Sequence, residues 1–226
     1  MISYNYDNDN RLIKVDLTFI KKIFLNYDSL NPEDKNKLLF TEDSIYSSSR
    51  LKGSKRLMDV INKYYPNNFD VRITDGTANI GTDSINLGSI YKNINAIEIS
   101  KINYQALSEN IKTFNLNKRI RCFNDDINIK IKDLEQDIIY IDAPWGGKEY
   151  KNDSNINLYL GNIEITNFYL QNKDRADTFI FKVPYNYNFN NLYSKITDSD
   201  IFKHSYKKGS TVKYYLLVIK KKNTEV

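Results

Sequence analysis

The chain has 226 residues, of which 41% are hydrophobic and 13% aromatic, a composition typical of a globular protein with a full core. No apolar run is long enough to span a membrane, the polar N-terminus lacks a signal-peptide pattern, and the single cysteine, Cys122, excludes an internal disulfide and a cysteine-based zinc site. We therefore expect a protein of the cytoplasm or nucleus. The net charge of +5 favours an anionic partner only weakly, because the lysines are widely spread.

The first region, residues 1–65, is predicted to be an α-helical extension. Helical patterns recur in it, at residues 14–27, 31–40 and 54–65, whereas residues 44–50 are polar and irregular. Pro66 stops the last of these helices. We expect the extension to pack on a second region, residues 66–226, and to reach its ligand-binding edge.

Strand and helix patterns alternate from residue 70 onward. Predicted strands cover residues 70–74, 94–98, 120–123, 137–141, 178–183 and 211–220, with a further candidate at 200–204. Predicted helices cover residues 81–91, 101–116 and 158–171. This alternation predicts an α/β fold, a mostly parallel sheet with helices on both faces and an antiparallel last strand.

An acid lies at the end of each of the first three predicted strands, and the first acid opens a loop of small residues. That loop reads Asp75-Gly76-Thr77-Ala78-Asn79-Ile80-Gly81. Small residues allow the backbone to curl around a ligand, and Asn79 tolerates a positive φ better than other non-glycine residues. Glu98, about twenty residues downstream, can take both hydroxyls of a ribose. Asp125 can accept a hydrogen bond from an adenine amino group.

This pattern resembles the class I S-adenosylmethionine-dependent methyltransferases over roughly residues 70 to 220. The resemblance implies a Rossmann-like fold with a seven-stranded sheet and assigns S-adenosylmethionine to the loop, Glu98 and Asp125. Proteins that bind NAD share the ribose carboxylate, but no Gly-x-Gly-x-x-Gly stands here, which argues against a pyrophosphate cradle. The alternative for any single acid is an ordinary helix cap or turn residue.

The most informative motif follows the fourth strand. It reads Asp142-Ala143-Pro144-Trp145-Gly146-Gly147 and contains the only tryptophan of the chain. It resembles the motif of enzymes that methylate exocyclic amines, and its Trp-Gly-Gly part resembles the trimethylguanosine synthase family. That family methylates the N2 amine of a 7-methylguanosine RNA cap. Ala143 departs from the family, which usually has proline at this position.

The resemblance implies a role for each residue of this motif. Asp142, Pro144 and Trp145 are the candidate catalytic residues, and Asp142 also borders the cofactor. The carboxylate of Asp142 accepts hydrogen bonds from the target amine, and the cationic 7-methylguanine ring stacks on Trp145. A core position is the alternative for Trp145.

Further candidates for contacts with the capped RNA are Lys148, Lys182, Tyr185 and Asn186. A solvated lysine and an ordinary turn are an equally good interpretation of the last three. Residues 47–50 of the extension either fold over the substrate or form a plain polar loop. We expect a monomer that needs no metal and no membrane. The abundance of Asn, Ile, Lys and Tyr suits an AT-rich genome, such as that of a protist or of a large DNA virus active in the host cytoplasm.

Two rival functions remain open. A cap ribose 2′-O-methyltransferase uses a lysine-aspartate-lysine-glutamate set, in which Asp142 and Lys182 would fill the middle positions and Lys55 the first, but the final glutamate is missing. A catalytically inactive methyltransferase fold that binds RNA is the other rival. Ala143 motivates that second idea, and the intact cofactor loop argues against it.

Overall fold

The computed structural model describes residues 11–222, except for the side chain of Lys148. The chain divides into two compact units, Met1–Lys130 and Ile131–Val226. Residues 11–65 lie within the first unit, together with the first strands of the main sheet. The division into an extension, 1–65, and a methyltransferase domain, 66–226, stays a prediction.

The first unit begins with short elements. Strands β1 (Leu12–Ile13) and β2 (Phe40–Thr41) pair antiparallel. Between and after them lie α1 (Leu17–Ile20), a 3-10 turn (Tyr27–Ser29), α2 (Pro32–Lys37), α3 (Glu42–Ser47) and α4 (Leu51–Tyr64). Of the predicted helix at 14–27 only one turn forms, and it starts at Leu17 because the Asp16 carboxylate accepts hydrogen bonds from Thr18 N and Phe19 N.

The segment expected to be irregular, residues 44–50, is partly helical. The Thr41 hydroxyl accepts a hydrogen bond from Ser44 N, and the Ser44 hydroxyl accepts one from Thr41 N. This reciprocal capping box starts α3 two residues before the polar run. A local side-chain arrangement thus produces a helix that hydrophobic periodicity does not indicate.

Alternating strands and helices complete the first unit. They are β3 (Arg72–Asp75), α5 (Thr82–Gly88), β4 (Asn93–Glu98), α6 (Lys101–Thr113), β5 (Ile120–Asn124) and α7 (Ile127–Lys130). Strand β4 pairs in parallel with β3 on one side and β5 on the other. Both α5 and α6 contact β4, and their apolar side chains form the core of this unit with Ile73, Ala96 and Ile97.

The second unit contains the remaining strands. After a 3-10 turn (Ile131–Asp133) come β6 (Ile138–Ile141), a 3-10 segment (Gly147–Asn152), β7 (Tyr159–Leu160), β8 (Ile163–Glu164), α8 (Ile165–Asn172), β9 (Thr178–Pro184), α9 (Phe189–Lys195), β10 (Ser199–Lys208) and β11 (Thr211–Lys221). Strands β6 and β9 are parallel, whereas β11 is antiparallel to β9 and β10. The predicted helix at 158–171 begins instead as the β7–β8 hairpin, whose turn needs the positive φ of Gly161, 62°.

Seven strands make up one mostly parallel sheet, as predicted. The first unit contributes β3, β4 and β5, and the second contributes β6, β9, β11 and β10. In each unit, parallel strands bring their carboxyl ends to a common edge, where ligands bind in open α/β sheets. No helix in the part of the chain that the structure describes is long and apolar enough to cross a membrane.

Candidate functional site

The loop after β3 is anchored by its first residue. Asp75 is buried, and its carboxylate accepts hydrogen bonds from the Ser84 hydroxyl at 2.6 Å and from Thr77 N at 3.3 Å. Ser84 belongs to α5, so the Asp75 side chain connects the start of the loop with the following helix. Of the predicted cofactor residues, Asp75 thus has a clear role in shaping the loop.

Two left-handed residues curl this loop tightly. Asn79 has φ 51° and Gly81 has φ 93°. Asn79 therefore adopts the positive φ that the sequence predicts it can tolerate. The Asn79 side-chain oxygen accepts a hydrogen bond from Ile80 N at 2.8 Å, which supports this conformation locally. A Cβ on Gly81 would lie 2.7 Å from Leu107 Cδ1, so glycine is also needed for close packing.

Glu98, at the end of β4, faces this loop. Its side chain is only 7% exposed, and its carboxylate accepts hydrogen bonds from Asn79 N at 2.7 Å and from Ser100 N at 2.8 Å. The Glu98 carbonyl accepts hydrogen bonds from Asn124 Nδ2 at 2.9 Å and from Asp125 N at 3.2 Å. Backbone bonds therefore bring the ribose candidate Glu98 next to the adenine candidate Asp125.

The donor set of this edge fits S-adenosylmethionine. The Glu98 carboxylate at the end of β4 presents a pair of oxygens of the kind that accepts both hydroxyls of a ribose. The small residues Gly76, Thr77 and Ala78 give the backbone access to a ligand. Asp125 is half-buried beside Glu98 and can accept a hydrogen bond from an adenine amine.

Serines of the N-terminal segment hold the cofactor loop and the helix after it. Ser47 Oγ accepts a hydrogen bond from Asn79 Nδ2 at 3.1 Å. Ser49 Oγ and Ser54 Oγ each donate a hydrogen bond to the Asp83 carboxylate at 2.6 Å. Sequence reasoning missed Asp83, although an acid in the first turn of a helix is a recognisable stabilising position. Ser47 and Ser49 thus act in packing within the first unit.

In the second unit, Asp142 and Lys182 form an ion pair. Lys182 Nζ lies 2.5 Å from Asp142 Oδ2, and their side chains are 11% and 19% exposed. The pairing follows from the sheet, because Ile141 and Phe181 are partners in the parallel strands β6 and β9. The next residue of each strand therefore reaches the same edge.

Trp145 lies in a cluster of aromatic rings. Its ring centroid is 5.2 Å from that of Tyr150 at an interplanar angle of 78°, and 6.4 Å from that of Tyr214. Lys182 Nζ lies 6.0 Å from the Trp145 centroid and 5.4 Å from the Tyr214 centroid. The indole is half-buried, and its Nε1 is shielded from solvent without a hydrogen-bond partner among the described residues.

The rest of the motif shapes the turn that carries this ring. Ala143 is buried and Pro144 is exposed. Gly146 and Gly147 have φ of 91° and 72°, a conformation that L side chains rarely adopt. The glycines are therefore required by the turn between β6 and the 3-10 segment.

Asn186, predicted to contact substrate, holds that 3-10 segment in place. It is buried, and its Nδ2 donates hydrogen bonds to the carbonyls of Tyr150 and Asp153, both at 2.7 Å. Its Oδ1 is also shielded and has no partner among the described residues. The amide thus positions Tyr150, and a direct substrate contact of Asn186 stays a prediction.

Tyr185 is the accessible member of the cluster. It is 44% exposed, and its ring centroid lies 6.4 Å from that of Tyr150. Burial, together with the nearby Tyr185 hydroxyl, raises the pKa of Tyr150, so Tyr150 stays neutral at physiological pH. The side chain of Lys148, also predicted to bind substrate, lies outside the described residues.

Sequence reasoning missed two members of the cluster, Tyr206 and Tyr214. Their rings stack at 4.6 Å with an interplanar angle of 9°. They are register partners in β10 and β11, so knowledge of the strand pairing would have identified them. Within the described range, no group of three or more His, Cys, Asp or Glu side chains is arranged to hold a metal ion.

Comparisons with known proteins match both the sequence and the fold. A family model for the RNA cap guanine-N2 methyltransferases matches residues 71–222. An uncharacterised protein, L320, of Acanthamoeba polyphaga mimivirus is 32% identical over 154 residues. That match covers 66% of this chain and 58% of the mimivirus protein, so the chain spans less than two thirds of its relative.

Among solved structures, the human methyltransferase 10 domain containing protein is similar with a TM-score of 0.58 and 15% identity, over 75% of this chain and 81% of that one. The METTL16 MTase domain has a TM-score of 0.57 and 12% identity, over 73% and 66%. A putative rRNA methylase from Clostridium thermocellum has a TM-score of 0.51 and 11% identity, over 73% and 96%. At these identities the likeness shows the fold alone.

The two kinds of comparison agree. The structural neighbours share the fold and carry methylase or methyltransferase names, in agreement with the family model. The family match extends through every strand of the main sheet, from β3 to β11. The chain therefore belongs to the RNA cap guanine-N2 methyltransferase family.

Proposed function

We propose that this protein transfers a methyl group from S-adenosylmethionine to the exocyclic N2 amine of a 7-methylguanosine RNA cap. The observation that carries the proposal is the half-buried Trp145 at the end of β6, three residues after the carboxylate of Asp142. An aromatic ring and a carboxylate so close together suit a flat cationic base with an amine on its edge. Transfer once or twice would give the di- or trimethylguanosine cap.

The chain's own residues would orient the amine. The N2 lone pair is delocalised into the guanine ring, so alignment with the methyl group lowers the barrier more than added basicity would. The Asp142 carboxylate can accept a hydrogen bond from N2 and offset the positive charge that develops there. The proton that N2 loses once the new N–C bond has formed can leave to solvent.

Residues of the first unit would hold the cofactor. Glu98 would bind the ribose hydroxyls, Asp125 the adenine amine, and the backbone from Gly76 to Asn79 the remainder. S-adenosylmethionine would supply a methyl group bound to a positively charged sulfur. The nucleophile would form the new bond to the methyl group with its own electron pair, and the sulfur would leave as a neutral thioether.

The Trp145 ring would select the cationic base. A 7-methylguanine ring carries a positive charge, so its stacking on an indole gains about 0.5–2 kcal/mol over a neutral guanine. This corresponds to a preference of about 2- to 30-fold for a methylated over an unmethylated cap.

One observation favours a second candidate, the cap ribose 2′-O-methyltransferase. The ion pair of Asp142 and Lys182 is the central pair that such an enzyme uses to activate a ribose hydroxyl. Ser210-Thr211-Val212-Lys213 stands where that family has a glutamate, however, and the ribose interpretation leaves Pro144-Trp145-Gly146-Gly147 unexplained. We therefore rank the N2 amine first.

Two substitutions separate these candidates, with methylation of a 7-methylguanosine dinucleotide cap as the assay. For the N2 amine we expect Asp142→Asn to reduce kcat by about 100-fold or more, since removal of a transition-state hydrogen-bond acceptor has that order of effect. Lys182→Ala should leave measurable activity, because the carboxylate remains. An active Asp142→Asn variant together with an inactive Lys182→Ala variant would instead establish ribose chemistry.

A matched control for the lysine substitution is Lys173→Ala. Lys173 also pairs with an aspartate of the second unit, Asp198, but the pair is exposed to solvent. Its loss should leave kcat unchanged. The third reading, an inactive RNA-binding fold, predicts no binding of S-adenosylmethionine by calorimetry. Capped RNA as the partner follows if methyl transfer is observed, and the match to a mimivirus protein supports a viral protein that acts in the host cytoplasm.

A further inference from the structure

The hairpin of β10 and β11 extends beyond the rest of the sheet in the second unit. Strand β11 pairs with β9 only from Tyr214, opposite Pro184, to Lys220. Residues 207–213 lie beyond that last pair and form a two-stranded tip with its turn at Gly209, whose φ is 61°. Because β6 runs parallel to β9, this tip projects from the same edge at which Asp142 follows β6.

This hairpin tip is strongly basic. The sequence from residue 201 to residue 213 contains four lysines and no Asp or Glu. The three lysines of the tip itself, Lys207, Lys208 and Lys213, are exposed and have no carboxylate partner among the described residues. By contrast, Lys173 and Lys221 of the same unit are paired with Asp198 and Asp174. The positive charge of the tip is therefore not compensated.

A β-bulge sets the direction of one of these lysines. Tyr206 is the partner of Tyr214, whereas Lys207 is the partner of Val212, so Lys213 is an extra residue in β11. Bulges bend the strand, increase its twist and redirect the bulged side chain. Such a device also prevents the exposed edge from pairing with another strand.

A row of aromatic rings connects the tip with the proposed base platform. The centroid of Trp145 lies 6.4 Å from that of Tyr214, and Tyr214 stacks on Tyr206 at 4.6 Å. Lys207 follows Tyr206 directly in the chain. Tyr214 is buried, so a strand of nucleic acid that begins at Trp145 would meet the half-buried Tyr206 and then unpaired positive charge.

We infer that the hairpin tip binds the phosphates of the RNA strand that follows the cap. The inference rests on the proposed function, because it takes the cap base to lie on Trp145. A single strand fits the arrangement, since the half-buried rings of Trp145 and Tyr206 lie beside exposed lysines, and aromatic rings and lysines together bind unpaired bases and phosphates without sequence preference. The tip extends about 10–13 Å past Tyr214, at about 3.3 Å per residue, so it can reach past the cap itself.

The test uses the triple variant Lys207→Gln, Lys208→Gln, Lys213→Gln of the full chain. Its substrates are a 7-methylguanosine dinucleotide cap and the same cap on an unstructured RNA of about twenty nucleotides. We expect KM for the capped RNA to rise about tenfold or more near 0.1 M salt, while KM and kcat for the dinucleotide stay unchanged. The slope of log affinity for the RNA against log salt should fall by about 2, since each phosphate contact contributes about 0.7 for single strands.

The matched control removes the same charge elsewhere, by Lys52→Gln, Lys118→Gln and Lys132→Gln, all exposed. The inference is wrong if KM for the capped RNA rises equally in both triple variants, or if it does not rise in the hairpin variant. It is also wrong if KM for the dinucleotide rises in the hairpin variant as much as KM for the RNA. Thermal unfolding of both variants shows that neither effect reflects misfolding. Failure of the proposed function looks different, because the unaltered protein would then transfer no methyl group to the cap N2 amine, while RNA binding could still depend on the hairpin.

Discussion

Trp145→Ala is the substitution that probes the proposed base platform most sharply. Stacking of a base on an aromatic ring is worth about 1–3 kcal/mol, so KM for the methylated cap should rise by about 5- to 150-fold. The indole also contacts Tyr150 and Tyr214, and each aromatic pair is worth about 0.5–1.5 kcal/mol, so a stability loss of about 1–3 kcal/mol is expected as well.

The ratio of kcat/KM for methylated and unmethylated cap separates these two effects. A general loss of stability lowers both values together, whereas loss of the platform removes the cationic preference of about 2- to 30-fold. Trp145→Phe retains an aromatic ring and should keep part of that preference. Calorimetric affinity for S-adenosylmethionine, which depends on the first unit, should not change. An Ala variant that still prefers the methylated cap by the original ratio would refute the platform.

The remaining predictions concern the cofactor edge and the core. Glu98→Gln should lower the affinity for S-adenosylmethionine by about tenfold to a hundredfold in calorimetry, because hydrogen bonds to a charged acceptor are worth about 1.5–3 kcal/mol; unchanged affinity would contradict the ribose role. Gly81→Ala should lower the free energy of unfolding in urea by at least about 1 kcal/mol more than Gly161→Ala. Both glycines have a positive φ, but only at Gly81 would the added Cβ also clash, with the buried side chain of Leu107. Burial raises the pKa of Tyr91 to about 12, so the unfolded chain releases this proton first and stability should fall as pH rises from about 10 to 12. Tyr91→Phe should reduce that slope by up to about 1.4 kcal/mol per pH unit in alkaline unfolding measurements.

The arrangement of Asp75, Glu98 and the loop between them could be predicted from the sequence because its signals are local. Short apolar runs end in Asp75 and Glu98, and parallel strands bring such ends together without knowledge of any distant contact. The tight path of the loop from Asp75 to Gly81 could also be predicted, because small residues and an asparagine allow a left-handed backbone conformation. The bounds of β3, β4 and β5 consequently agree with the predicted ones within one or two residues.

The target-base side depends on partners far apart in the sequence. The ion pair of Asp142 and Lys182 joins residues 40 positions apart, and it follows from the register of β6 with β9. Tyr206 and Tyr214 come together only because the register of the β10–β11 hairpin makes them partners. A single sequence contains no direct signal for either contact.

The helix predicted at 14–27 differs from the structure for another reason, whereas those predicted at 31–40 and 54–65 are present as α2 and α4. Hydrophobic periodicity at 14–27 favoured a long helix, but the cap at Asp16 delays the start and only one turn forms. Tertiary packing of Ile20, Ile23 and Phe24 then outweighs intrinsic helix propensity. Side-chain caps thus set the starts of the short helices α1 and α3, which hydrophobic periodicity does not indicate.

The position of the transferred methyl group tests the central claim most directly. The protein is incubated with S-adenosylmethionine and a 7-methylguanosine dinucleotide cap, and the product is fragmented in a mass spectrometer to separate the base from the ribose. We predict added mass on the 7-methylguanine base, and less product from an unmethylated cap. Added mass on the ribose, or equal methylation of both caps, would contradict the account.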